Sequence, residues 1–125
     1  MHWLSKTVIL AVHDEQIAEN GGRAGIRDLG LLASAMARPL HLYSYESPTI
    51  VELAAAYAVG IIRDHPFVDG NKRTGFLAAY IFLAMHGLKL SAPETEVVRV
   101  VLDLAQGNMD EKEFCIWLGN NTTEK

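Results

Sequence analysis

The apolar positions of this chain fall into blocks that predict six helices and almost nothing else. Leu4 to Asn20 is the first, with Ser5 as its cap and Gly21-Gly22 as its end. Val8, Ile9, Val12 and Ile17 share one broad face, and His13, Asp14, Glu15 and Glu19 lie mostly off it. Adjacent helical residues point about 100° apart, so His13, Asp14 and Glu15 do not converge on a metal and are expected on a solvated face. Gly21 to Arg27 is a loop with three glycines. Asp28 caps a second helix, DLGLLASAMAR, which Pro39 is expected to terminate. Pro39 to Ser47 then reads as irregular, with Tyr43 and Tyr45 either exposed on a flap or packed over the edge of the core.

Ser47-Pro48 opens a third helix, with Thr49 and Glu52 as an alternative capping box. Leu53 to Ile62 carries no charge, so this helix is expected at the centre. A fourth helix starts near Asn71, is again uncharged from Thr74 to Met85, and stops at Gly87. Gly60 and Gly75 sit inside these two helices at similar distances from the loop between them, which predicts close backbone approach within one helical hairpin. Leu88 to Ala92 is an extended connection. Pro93 to Gln106 is a fifth helix, with Glu94 and Glu96 in its first turn. Asp110 and Glu113 begin a sixth, ending at Gly119, in which Cys115 between Phe114 and Trp117 is a core residue and not a nucleophile. Asn120 to Lys125 is expected to be a frayed tail on a single domain spanning 1–125.

Composition narrows the class. With 125 residues, half of them apolar and 21% charged, the chain is globular and large enough for one core. A net charge of −4 disfavours direct DNA binding, which needs a basic footprint. One cysteine excludes an internal disulfide and fits a reducing compartment. The longest strongly apolar run, Thr74 to Met85, is 12 residues, whereas a membrane span needs ~20. No signal peptide is evident, so a cytoplasmic, membrane-free protein is expected.

Chemistry concentrates in HPFVDGNKRTG, His65 to Gly75, between the two uncharged helices. Pro66 pushes His65 out of helical geometry, and an imidazole takes up protons near neutral pH. Phe67 anchors the loop in the core. Asp69 either caps the next helix or, beside phosphates, holds Mg²⁺. Gly70, Asn71 and Lys72 place successive amides at a helix N-terminus, where phosphate oxygens bind. Lys72 and Arg73 add cations for charge on a moving phosphoryl group. Each residue alone fits an ordinary helix start; all of them within so short a stretch point to a phosphate or nucleotide site. It is not a P-loop, because GxxxxGK[ST] is absent, and the protein-kinase signatures are missing too.

HPFVDGNKRTG resembles the core motif of the Fic superfamily, and Lys72 with the short chain resembles its death-on-curing (Doc) branch. The likeness extends to HDEQIAENGG, IRDLGLLASAMARP and LAAAYAVGIIRDHPF. It implies an all-α, compact helical bundle. It also implies that His65 is a general base toward a protein hydroxyl, that Asp69 helps hold Mg²⁺, that Gly70-Asn71-Lys72 form the anion nest, and that Arg73 contacts ATP phosphates. Lys72 and Arg63 would belong to the same active region. Members of that branch are toxins that phosphorylate elongation factor Tu and stall translation. An antitoxin neutralises them through a disordered segment that folds on binding. The AMP-transferring branch usually has glycine where this chain has Lys72, and often a second arginine where it has Phe76. Some Fic proteins carry an internal inhibitory helix, and its pattern is absent here. AMP transfer and a non-catalytic interaction module are the alternative readings.

Overall fold

Every residue from Leu53 to Ile62 is buried, and the rest of the chain is arranged around that run. A computed structural model describes residues 1–125 as α1 (Lys6–Asn20), α2 (Leu29–Tyr45), α3 (Ile50–Asp64), α4 (Asn71–Met85), α5 (Glu94–Gln106) and α6 (Glu111–Asn120), with short strands β1 (Leu88–Leu90) and β2 (Thr122–Glu124). The all-α expectation of about six helices holds. Helix α3 packs against α2, α4, α5 and α6, and α1 lies against α4. One contiguous core results, with Tyr57, Phe67, Phe82 and Phe114 among its largest fully buried side chains. Burial pushes the Tyr57 phenol above its ordinary pKa, an effect the Leu4 N–H, donating to the phenol oxygen at 3.2 Å, partly offsets. No helix is long and apolar enough to cross a membrane.

Helix starts are set locally. Ser5 accepts from the Val8 amide and Asp28 from the Leu31 amide. Thr49/Glu52 and Asp110/Glu113 form complete capping boxes, so α3 begins after Thr49 and Pro48 stands outside it.

Four expectations are corrected. Pro39 does not end α2, which runs on to Tyr45 with Pro39 buried inside it. An internal proline costs ~3 kcal/mol through its lost hydrogen bond and steric clash. Long-range contacts offset that here: Arg38 donates to the Ala56 carbonyl and pairs with Glu111 at 2.6 Å, and Leu42 packs on the core. Tyr43 then meets Trp3 edge-on at a centroid distance of 5.4 Å, while Tyr45, on the last turn of α2, is 87% exposed. Residues 120–125 are not a frayed tail, because Thr122–Glu124 pair antiparallel with Leu88–Leu90 and the Lys125 amide donates to the Gly87 carbonyl. His13 is not on a solvated face; it is 2% exposed, on a buried stripe with Ile9 one turn earlier. Val8, assigned to the buried face, is exposed.

The two helix glycines do permit close approach, but to different partners. A Cβ on Gly60 would lie 3.1 Å from the Cα of Ala35 in α2, whereas one on Gly75 would lie 2.6 Å from Ile62 Cγ1 and 3.1 Å from the Ala58 carbonyl in α3. A methyl at Gly75 must therefore displace backbone or a β-branched side chain. Overpacking costs ~1–3 kcal/mol, against ~1 kcal/mol gained in helix propensity. Gly75→Ala is expected to lower the melting temperature, and Gly75→Leu to lower it further. Melting curves of the two variants that match wild type would refute the close packing of α3 on α4.

Candidate active site

The α3–α4 connection is built from the motif and held from three sides. Helix α3 ends because Pro66 disfavours helical backbone at His65, which adopts the left-handed region (φ 54, ψ 54) as the C-cap. Arg27 satisfies the carbonyls exposed there, its Nε donating to His65 O at 2.6 Å and a guanidinium nitrogen to Asp64 O at 2.8 Å. The amides of Arg27 and Asp28 both donate to Pro66 O, and the Val68 amide donates to Gly25 O. Ile26 and Phe67 form an isolated antiparallel bridge. The glycine loop after α1 is thus a strap along the motif.

Asn71 closes the loop from inside. It is 3% exposed. Its Oδ1 accepts from the Phe67 amide at 3.0 Å, and its Nδ2 donates to Phe67 O at 2.9 Å and to His65 Nδ1 at 3.1 Å. His65 therefore stands exposed at the mouth of the loop, with its ring held by the first residue of α4. From the α1 side, the His13 ring stacks on Phe67 at 3.8 Å and its Nε2 lies 2.7 Å from Asp69 O.

Asp69 does not cap α4. Its Oδ2 accepts the Arg23 amide at 2.9 Å, which fixes the carboxylate at the loop edge, and Gly70 is an N-cap (φ 79) without a side-chain cap bond. The first intrahelical bond of α4 runs from the Thr74 amide to Gly70 O, so the amides of Asn71, Lys72 and Arg73 precede the helical ladder. A helix start without a capping side chain leaves its positive end open to an anion. Gly70, Asn71, Lys72 and Arg73 line a cavity of about 290 Å³ with Phe76 and the α5 residues Val97, Val98, Val101 and Leu102. Lys72 is exposed, and Arg73 pairs with Glu94 at 3.0 Å across the entrance to α5. Arg63, in the last turn of α3, donates to Met109 O in the α5–α6 turn and does not line that cavity.

The chain has no group of three His, Cys, Asp or Glu side chains able to hold a metal alone. One anchored, exposed carboxylate beside a phosphate-type site suits Mg²⁺, which is held by one or two carboxylates together with substrate phosphates. Cys115 is half-buried, and burial together with Glu52 and Glu111 pushes its thiol up, the opposite of an activated nucleophile. Motif reading alone missed His13, Arg23 and Arg27. The i, i+4, i+8 spacing of Ile9, His13 and Ile17 was the available signal for the first; nothing local marks the arginines.

The Fic/DOC family model matches residues 3–83. Over 74 residues, 58% of the chain, the sequence is 43% identical to Toxin Doc of Mycolicibacterium smegmatis, a stretch spanning 57% of that protein's length. Over 96 residues, 75% of the chain, it is 34% identical to Protein kinase doc of Escherichia phage P1, covering 76% of that protein. The extended match takes in α1, the strap and the whole α3–α4 loop just described, and the chain belongs to the Fic/DOC family.

Proposed function

We propose that this chain is the toxin of a toxin–antitoxin pair and transfers the γ-phosphoryl group of ATP to a Ser or Thr hydroxyl of a protein, with elongation factor Tu as the expected target. The observation that carries the reading is His65, held by Asn71 against the open, lysine-bearing start of α4. The names of the two relatives, a toxin and a protein kinase, support it. His65 takes the hydroxyl proton, the α4 amides with Lys72 and Arg73 hold phosphate oxygens, and Asp69 offers a carboxylate to Mg²⁺. Bound Mg²⁺ would neutralise charge on the phosphates. Lys72 favours phosphoryl over AMP transfer. AMP transfer needs the α-phosphate deep in the nest, where glycine leaves room and a lysine side chain adds bulk and charge. The smaller, more highly charged terminal phosphate suits that position.

The test is incubation of the protein with cell lysate, or with elongation factor Tu, and ATP labelled at the α or the γ position. Protein-bound label from the γ position only is expected. Label from the α position would overturn phosphoryl transfer in favour of AMP transfer, and label from neither would overturn both.

Arg73 is already engaged by Glu94, a carboxylate where a phosphate would compete. Both side chains are more than a third exposed, so the pair is screened and worth at most ~1 kcal/mol. Glu94→Gln is expected to tighten ATP binding a few-fold by freeing Arg73. Calorimetric titration checks this; weaker binding in Glu94→Gln would mean that Glu94 orients Arg73 instead.

A further inference from the structure

His13 is the one histidine buried in the structure, and the reaction as proposed does not use it. Its Nε2 lies 2.7 Å from a backbone carbonyl, that of Asp69. A carbonyl only accepts, so Nε2 carries the hydrogen and donates. The bond fixes one particular peptide plane, Asp69–Gly70. In a trans peptide the carbonyl and the following N–H point in opposite directions. With Asp69 O held on the α1 side, the Gly70 N–H is turned to the opposite side, away from α1. Gly70 can hold this pose because it lies in the left-handed region directly over the histidine, where an added Cβ would sit 3.6 Å from the ring and 3.3 Å from Ile17 Cδ1. The flat face of the same ring is stacked on Phe67, with 7° between the planes, so the donor cannot swing aside.

We infer that His13 is a positioning residue for phosphate binding. Through Asp69 O it aims the Gly70 amide, adding that N–H to those of Asn71, Lys72 and Arg73 in the anion nest. It touches no substrate and acts through one peptide plane. The inference rests on the reading of this helix start as the phosphate site.

Three variants separate its donor from its bulk. His13→Gln keeps an N–H at about the position of Nε2. His13→Phe keeps a ring on Phe67 and has no donor. His13→Asn keeps a donor too short to reach. A hydrogen bond to a charged acceptor is worth roughly tenfold or more in affinity. His13→Phe and His13→Asn are therefore expected to bind ATP about tenfold more weakly by calorimetry in the presence of EDTA, and His13→Gln within about threefold of wild type. The ¹⁵N–¹H resonance of the Gly70 amide, recorded without nucleotide, should shift in the first two and stay near wild type in the third. A Gly70 resonance unmoved by loss of the donor overturns the inference. So does ATP binding that follows the melting temperature in all three variants, which is the mark of packing alone. If His13→Phe does not fold, His13→Asn decides the same comparison. A wild-type protein that binds no ATP overturns the phosphate role of both His13 and the site, whereas wild-type binding with an indifferent His13→Phe overturns only the inference.

Discussion

Replacing His65 by alanine is expected to leave a folded protein whose transfer rate falls by about 10²–10⁴-fold, the usual cost of losing a positioned general base. The side chain is exposed and makes one hydrogen bond, to Asn71, so the core does not depend on it. Its backbone is less neutral, because a left-handed residue other than glycine is strained. His65→Asn is the useful companion, since asparagine tolerates that conformation and cannot act as the base. Both variants should melt near wild type and fail to transfer γ-label. A folded variant that keeps more than about a tenth of the rate would remove His65 from the chemistry.

Asn71→Ala is expected to have the largest effect on stability of any change to a polar side chain in the motif. It strips partners from the N–H and the carbonyl of Phe67, a residue wholly inside the core. Each orphaned buried group costs ~1–3 kcal/mol, so a loss of about 2–5 kcal/mol is expected. Domains of this kind are stable by ~5–15 kcal/mol, which makes the loss visible in a urea titration. Activity should fall as well, because the loop that carries His65 loses its inner brace on Phe67. Asn71→Asp should not rescue, since a carboxylate offers no donor to Phe67 O or to His65. A urea midpoint within experimental scatter of wild type would show that the strap and His13 alone hold the loop.

What could be read along the chain was what neighbouring residues decide. Uncharged runs placed α3 and α4, and Thr49/Glu52 and Asp110/Glu113 marked two starts, because capping is settled within one turn. His65, Asp69, Gly70, Asn71, Lys72 and Arg73 were legible because their chemistry is dense in one short stretch. The misses are long-range. Asp69 is bound by residues 56 and 46 positions away, and His65 by one 38 positions away. Those partners are a histidine, a backbone amide and an arginine that look ordinary where they stand. Pro39 misled because propensity was overruled by contacts of Arg38 to α3 and α6. The strand Thr122–Glu124 is polar and three residues long, with nothing to announce it until Leu88–Leu90 lies alongside.

Asn71 also decides the tautomer of the His65 ring. Its amide is oriented by Phe67, with oxygen toward the N–H and nitrogen toward the carbonyl, so the edge it shows His65 is a donor. His65 Nδ1 must then be an acceptor, and the neutral ring carries its hydrogen on Nε2. The only lone pair able to take a proton is the one Asn71 already occupies. In the proposed transfer the hydroxyl proton goes to Nδ1, where the new N–H would face the amide hydrogens and end the bond. Proton uptake and release of the ring from α4 are therefore one event. Imidazole ¹⁵N shifts of the resting protein should show a bare Nδ1 and a protonated Nε2, and the bound transition-state mimic should show both nitrogens protonated, with the ring detached from the helix that held it.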